Sequence, residues 1–239
     1  MVSSSVVTSV TGLKMEDFYK FARSKGASSS LLQGYARTAD AWMNPSIIEE
    51  RKLNVASMDV FSRLMMDRII FLGCEITDEV ANIVIAQMLY LSSVDSREPI
   101  SMYINSPGGV VSAGLGIYDT MQIIQPKVST TCVGMAASMA AVLLCAGENG
   151  ERHMLEHSRV MIHQPLGGAD GQASDILIAA KEIEKTKAEL CGLISKHSGK
   201  PLDIVVADCD RDHWMSAKEA LDYGMVDDII TKSAKKQDK

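Results

Sequence analysis

The sequence is short of positive charge. Its 24 Lys and Arg are outnumbered by 30 Asp and Glu, for a formal net charge of -6, and a chain without a basic face is not built to follow a phosphate backbone. The one basic run, Lys232 to Lys239, reads as a solvated, disordered tail rather than a binding patch. The five cysteines (74, 132, 145, 191 and 209) are odd in number and none stands in C-x-x-C spacing. Neither a disulfide framework nor a zinc cluster organises such a chain. Most of the five lie in apolar stretches, where a free thiol behaves as a small hydrophobe. No His-Glu-x-x-His is present, and no metal site is expected. The first ten residues carry no positive charge ahead of an unbroken apolar run and make a poor secretory signal. The longest nearly apolar stretch, Val133 to Gly147, falls short of the about 20 residues that a bilayer-spanning helix needs. A cytoplasmic chain in a reducing compartment is the expectation.

What is present is enough apolar material for a full core. Hydrophobic residues are 46% of 239, which excludes global disorder and suits one large domain with a small appendage. Residues 1–44 differ from the rest, with serine clusters at 3–5 and 28–30 and a boundary at Asn44-Pro45. They read as an N-terminal extension or prosegment. From about residue 59 the pattern alternates. β-Type runs at 68–72, 100–105, 128–133, 159–163 and 226–230 are separated by helical stretches at 77–92, 110–124, 138–147 and 174–197. Thr77 followed by Asp78 and Glu79 marks one helix start, and Ser216-Ala-Lys-Glu219 is a capping box for a last helix that stops at Gly224. Strands alternating with helices imply an α/β fold of repeated βαβ units around a largely parallel sheet. The stretch 174–197 is a long amphipathic rod. Pattern alone favours a surface helix packed on its own core, and an intersubunit element is the sharper reading.

Four motifs bear on chemistry. In Gly134-Met-Ala-Ala-Ser-Met-Ala140, a serine ends a strand and opens an apolar helix. Ala136 and Ala140 stand where glycines stand in the G-x-S-x-G elbow, and the helix N-terminus offers N–H groups to an oxyanion. An ordinary N-cap serine is the plain alternative. Ser106-Pro-Gly-Gly109 follows a strand, and its glycines permit close approach to a ligand or a tight turn. His163 ends an apolar strand, placed either to project into a cleft as a base or to be a satisfied core histidine. In Asp208-Cys-Asp-Arg-Asp212, any of Asp208, Asp210 and Asp212 is a candidate to orient an imidazole, and a solvated turn is the ordinary alternative. The order Ser, His, Asp matches none of the familiar hydrolase orders, so a triad here needs another scaffold.

Together these segments, with Ser158-Arg-Val-Met-Ile-His-Gln-Pro-Leu-Gly-Gly168, closely resemble the proteolytic-subunit family of the caseinolytic (Clp) protease, over roughly residues 45 to 231. The resemblance implies a crotonase-like α/β fold, with a head and an extended handle over 59–231 and an axial entrance formed by 45–58. It implies two stacked seven-membered rings of this chain, a partner AAA+ unfoldase that uses ATP, and unfolded proteins as substrates. No cofactor of the chain's own, nucleic acid or membrane is implied. Ser138 matches the nucleophile, His163 the base and Asp208 the orienting acid of a serine endopeptidase. The N–H groups of Gly109 and Met139 match the oxyanion donors. Tyr103 and Ile123 fall where the family presents an apolar site to the unfoldase. The rod at 174–197, approached by Gly167-Gly168, matches the handle where rings meet.

Two features depart from the family pattern. The extension is longer than the usual prosegment, and Val206 and Ala207 stand where charged residues often pair between rings, so no such pair is expected here. A non-catalytic structural subunit of a mixed ring is the main alternative, disfavoured because all three triad positions are kept. A crotonase-type enzyme acting on acyl-CoA thioesters comes next.

Overall fold

Parallel strands cannot be joined by tight turns, so each βαβ unit must return the chain across the sheet through a helix. The computed structural model of the chain, which describes residues 46–51 and 54–231, is built that way. The extension over 1–44 and the tail over 232–239 lie outside the described residues. Two units divide between Val60 and Phe61. In the first, β1 (Ser46–Arg51) and β2 (Asn54–Asp59) pair antiparallel, with Ser46 opposite Asp59 and Arg51 opposite Asn54.

The second unit carries a seven-stranded mixed sheet. After α1 (Val60–Met66), strands β3 (Ile69–Leu72), β4 (Ile100–Ser106) and β5 (Val128–Ala137) lie side by side in parallel. They are linked by α2 (Asp78–Val94) and α3 (Val111–Ile123). Thr77 caps α2, its hydroxyl accepting from the Val80 N–H at 3.3 Å, as its sequence position predicts. Along β4, Ile100, Met102 and Ile104 are fully buried on one face, the period-two signature of a strand laid on a core. Arg68 pins the end of α2 to this sheet. Its guanidinium donates to the carbonyls of Leu91, Asp95, Glu98 and Pro99 at 2.9–3.0 Å, from a backbone held at φ 61°.

Strand β5 is the hinge of the architecture because it changes partner along its length. Thr130–Cys132 pair with β6 (Arg152–Leu155), whereas Met135–Ala137 pair with β7 (Arg159–Ile162). Between the two lies Gly134 at φ 89°, and the register with β4 slips there, from Ile104–Cys132 to Ser106–Ala136. The buried Ser158 hydroxyl locks the bend, accepting from the Gly134 N–H at 2.9 Å and donating to the Cys132 carbonyl at 3.1 Å. A side chain at 134 would run into Asn105 Oδ1.

Behind this bend, α4 (Met139–Cys145) is buried all round, as expected of a helix apolar on every face. The chain continues through α5 (Ala173–Ser198), α6 (Leu202–Asp208), β8 (His213–Met215), α7 (Ala217–Tyr223) and β9 (Asp228–Ile230). The capping box of α7 is formed in full, and Gly224 ends that helix at φ 88°. A buried ion pair ties these later elements together. The Arg152 guanidinium pairs with Asp227 and also donates to the carbonyls of His197, Gly224 and Cys145. Asp227 in turn accepts from the Gly150 and Arg152 N–H groups.

The long helix α5 is packed on the core only near its end, through Leu190, Cys191 and Ile194. Its first turns are exposed, with Leu177 and Ile178 at 63% and 67%. The reading from pattern alone, a surface helix lying on its own core, therefore holds for the last third only. At about 1.5 Å per residue the 26-residue helix is about 39 Å long. Among the described residues no helix is long and apolar enough to cross a membrane.

Candidate active site

Ser138 is the last residue before α4 and sits at φ 55°, ψ -125°, outside the regions that L-residues ordinarily occupy. Three things force it there. Its N–H donates to the Met161 carbonyl at 2.8 Å, its own carbonyl starts α4, and the chain must turn from strand to helix within one residue. The loop after β4 is pressed onto this turn. Gly108 stands at φ 92°, where an added Cβ would lie 2.6 Å from the Ala137 carbonyl oxygen and 2.7 Å from Ser138 Cβ. Gly109, at φ 152°, is wedged equally tightly against the backbone of Ile76. Glycine is required at both places.

The loop is also tied to the segment ahead of α2, the Ile76 N–H donating to the Gly108 carbonyl and the Val110 N–H to the Ile76 carbonyl, both at 2.8 Å. This ladder skips the Gly109 N–H. Met139 is the first residue of α4, so its N–H has no carbonyl one turn back. Two backbone donors thus flank the serine without roles in the helix or the ladder.

His163 follows directly on β7 and is largely buried, its side chain 16% exposed. Its Nε2 lies 2.9 Å from Ser138 Oγ, and its Nδ1 lies 3.0 Å from Asp212 Oδ1. A carboxylate only accepts, so the ring carries its proton on Nδ1 and leaves Nε2 to accept from the serine hydroxyl. The unbroken relay from hydroxyl to imidazole to carboxylate is the arrangement that activates a serine.

The acid is not the one that the resemblance implied. Asp208 belongs to the last turn of α6, where its Oδ2 accepts from the Tyr223 hydroxyl at 3.0 Å and its Oδ1 lies 3.8 Å from His213 Nδ1. Burial, with Asp208 adding to it, raises the Tyr223 phenol, which stays a donor. Asp210 is likewise engaged elsewhere, its carbonyl accepting from Gln164 Nε2 at 2.8 Å and its carboxylate lying 3.7 Å from Lys187 Nζ.

The reason is the register of β7 on β8. The two are antiparallel, with Val160 opposite Met215, Met161 opposite Trp214 and Ile162 opposite His213. The next rung sets His163 opposite Asp212. The sequence signal was the short run His213-Trp-Met215, with two large apolar residues, whose first neighbour on the N-terminal side is Asp212. Three residues are too few to show a strand's period, and without β8 the three aspartates are equivalent.

Beside Ser138 and His163 opens a narrow apolar cavity, lined among others by Val111, Met139, Ile162, Leu190 and Ile194. The comparisons with known proteins bear on this geometry. The sequence model of the family described as Clp protease matches residues 51–233. The chain belongs to the Clp protease family. It is 60% identical over 222 residues to the ATP-dependent Clp protease proteolytic subunit of Porphyromonas gingivalis, covering 92% of this chain and all of the relative. It is 59% identical over 219 residues to the subunit of the same name from Bacteroides fragilis (91% of this chain, all of the relative). To the ATP-dependent Clp protease proteolytic subunit 1 of Salinibacter ruber it is 50% identical over 203 residues (84% and 87%).

In this Clp protease chain, Tyr103 is half-buried in the middle of β4, and Ile123, the last residue of α3, is 82% exposed. Gly167 lies against Ile183 of α5, where an added Cβ would meet Cδ1 at 2.6 Å, so the chain leaving His163 does run onto the long helix. His153 and His157 are four apart, a spacing that would suit metal ligands on a helix, but they sit on β6 and in the turn that follows it.

Proposed function

We propose that this chain is the serine endopeptidase subunit of an ATP-dependent Clp protease, with Ser138 as nucleophile, His163 as general base and Asp212 as the group that orients the base. The observation that carries the reading is the relay of 2.9 Å and 3.0 Å through His163, within a chain of the Clp protease family. Ser138 Oγ attacks a peptide carbonyl as its proton passes to Nε2, and Asp212 holds the imidazolium that forms. The Gly109 and Met139 N–H groups receive the developing oxyanion. His163 returns the proton to the leaving amine, and a water deprotonated by the same nitrogen releases the acyl group.

The assembly belongs to the same proposal. Exposed Leu177 and Ile178 on α5 suit burial between copies of this chain in two stacked seven-membered rings, and exposed Ile123 suits docking of an AAA+ unfoldase together with Tyr103. The unfoldase uses the ATP and feeds unfolded protein to the chamber; the chain itself needs no cofactor for acyl transfer.

The test is intact mass after incubation with a fluorophosphonate, with and without an activating acyldepsipeptide. One adduct per chain is expected on the wild type and none on Ser138→Ala. Absence of an adduct from the wild type under both conditions would remove the peptidase reading.

A further inference from the structure

Two thiols line the cavity beside Ser138 and His163, and the relay uses neither. Cys191 lies on α5 one turn after Lys187, and Cys209 follows directly on α6. Both face the same cavity, both are closed off from the outer surface at 2% and 1% exposure, and both are free. The helices α5 and α6 pack against each other, which brings both thiols to one wall of the cavity.

That proximity makes them unequal. The Cys209 side chain, opposed by burial and helped by Lys187, holds Cys191 below the ordinary thiol range, while the Cys191 side chain and burial push Cys209 up. The other three cysteines are raised, with Cys132 and Cys145 pushed up to about 12, burial being the main cause. Cys191 therefore stands apart as the thiol with nucleophilic character, next to a partner that can resolve what it forms.

We propose that Cys191 and Cys209 are an oxidisable dithiol in the wall of the cavity beside Ser138 and His163, a modification site for hydrogen peroxide at which disulfide formation slows hydrolysis. The effect on rate rests on the serine peptidase reading above. The Cys191 thiolate attacks one peroxide oxygen, forming an S–O bond as the O–O bond breaks; the departing hydroxide takes up a proton and leaves as water. Cys209 sulfur then attacks the sulfenic sulfur of Cys191. The S–S bond forms, the S–O bond breaks, and the hydroxyl leaves as a second water with the Cys209 proton. Two thiols lose two electrons in all and one peroxide gains them. A dithiol reductant reverses the change by exchange.

The consequence for the site follows from what Cys209 holds. Its carbonyl accepts from the Gln164 N–H at 2.6 Å, and Gln164 is the residue after His163. Asp212 lies three residues beyond Cys209. A disulfide holds the sulfurs at about 2.05 Å, whereas both thiols are free here, so closing the bond shifts Cys209 and with it the segments that carry His163 and Asp212. A displacement on the order of 1 Å at a catalytic group costs up to about 10²-fold in rate.

The test uses the full assembled protein, treated with hydrogen peroxide and then with N-ethylmaleimide to block free thiols. Peptide mapping without reductant detects a Cys191–Cys209 link, while a fluorogenic short peptide reports hydrolysis before treatment, after it, and after dithiothreitol. The expected result is a linked peptide pair and a loss of rate of about tenfold or more, restored by the reductant. Cys191→Ser and Cys209→Ala, each measured against its own untreated rate, should resist peroxide. Failure to find the linked pair, a linked pair with unchanged rate, or equal loss in the variants would overturn the proposal. The fluorophosphonate adduct on untreated protein is read separately. If it is missing while the linked pair forms, the peptidase reading falls and the dithiol stands.

Discussion

His163 and Asp212 face each other one rung beyond the last pair of β7 and β8, and their side chains meet at 3.0 Å. The acid is therefore placed by strand pairing rather than by the turn it belongs to. Asp208, four residues earlier, is held by the Tyr223 hydroxyl instead. Replacing Asp212 by Asn offers Nδ1 a group that also donates and favours the wrong tautomer. A fall in kcat on the order of 10²–10⁴-fold is expected, toward the lower end because Asp212 is 62% exposed. Asp208→Asn should leave acylation within about tenfold of wild type, since it touches neither nucleophile nor base. Single-turnover acylation by an activated ester separates the two, and a larger defect in the Asp208 variant would return the role to that residue.

Gly108 gives a second expectation. An alanine there would have to hold φ 92° and place Cβ 2.6–2.7 Å from the Ala137 oxygen and Ser138 Cβ. The backbone strain alone costs about 1–3 kcal/mol, and relief of the clash must move the loop away from the serine. Gly108→Ala is expected to lower the thermal midpoint and cut kcat on the order of 10²-fold. A variant that retains full fluorophosphonate reactivity would show that the loop's approach is dispensable.

The buried pair Arg152–Asp227 predicts a stability effect with a defined pH dependence. Burial raises the Asp227 carboxyl, but its bonds to the Arg152 side chain and backbone and to the Gly150 N–H outweigh this, and the net shift is downward from 3.8. A carboxyl depressed in the folded state contributes stability that is full above its ordinary value and is lost as pH falls through the folded value. Asp227→Ala should cost about 3 kcal/mol at neutral pH, because Arg152 is left buried and unpaired. The gap from wild type should narrow below about pH 4. Denaturant melts at pH 7 and pH 3.5 measure both; a gap that widens in acid would contradict the assignment.

Leu177 and Ile178, exposed on α5, should matter to assembly and not to folding of the single chain. Placing Glu at either position introduces like charges wherever two copies meet through that helix. The sedimentation coefficient should drop to that of a smaller species, with the circular dichroism unchanged. An undiminished particle would place the copy-to-copy contact elsewhere.

Much of this arrangement is legible in the residues. The alternation from β3 to α5 follows from apolar periodicity, and the capping box at Ser216–Glu219 and the stop at Gly224 appear where the sequence sets them. Ser138 and His163 stand out as candidates because each ends a strand, but it is the likeness to a family, not the local pattern, that gives them roles. Among the elements that were not legible, three follow the nucleophile turn in the chain. Strand β6 is four residues long and opens on Arg152, a charge whose burial depends on Asp227, 75 positions away. Helix α6 begins after Pro201 without a side-chain cap, and β8 has only three residues. Missing β8 removed the register that distinguishes Asp212 from Asp208 and Asp210, and likeness to a family motif was no substitute for it.

The bend at Gly134 divides β5 between two neighbours, and this sets an order in time. Ser138 and His163 are 25 positions apart, but His163 and Asp212 are 49 apart. A chain made from its N-terminus presents Ser138 and His163 ahead of the strand that brings Asp212. Pairing over such a distance is slow to nucleate, because the intervening loop must close before any contact rewards it. The relay is complete only when β8 has paired with β7, so an unfinished subunit lacks the carboxylate that faces His163.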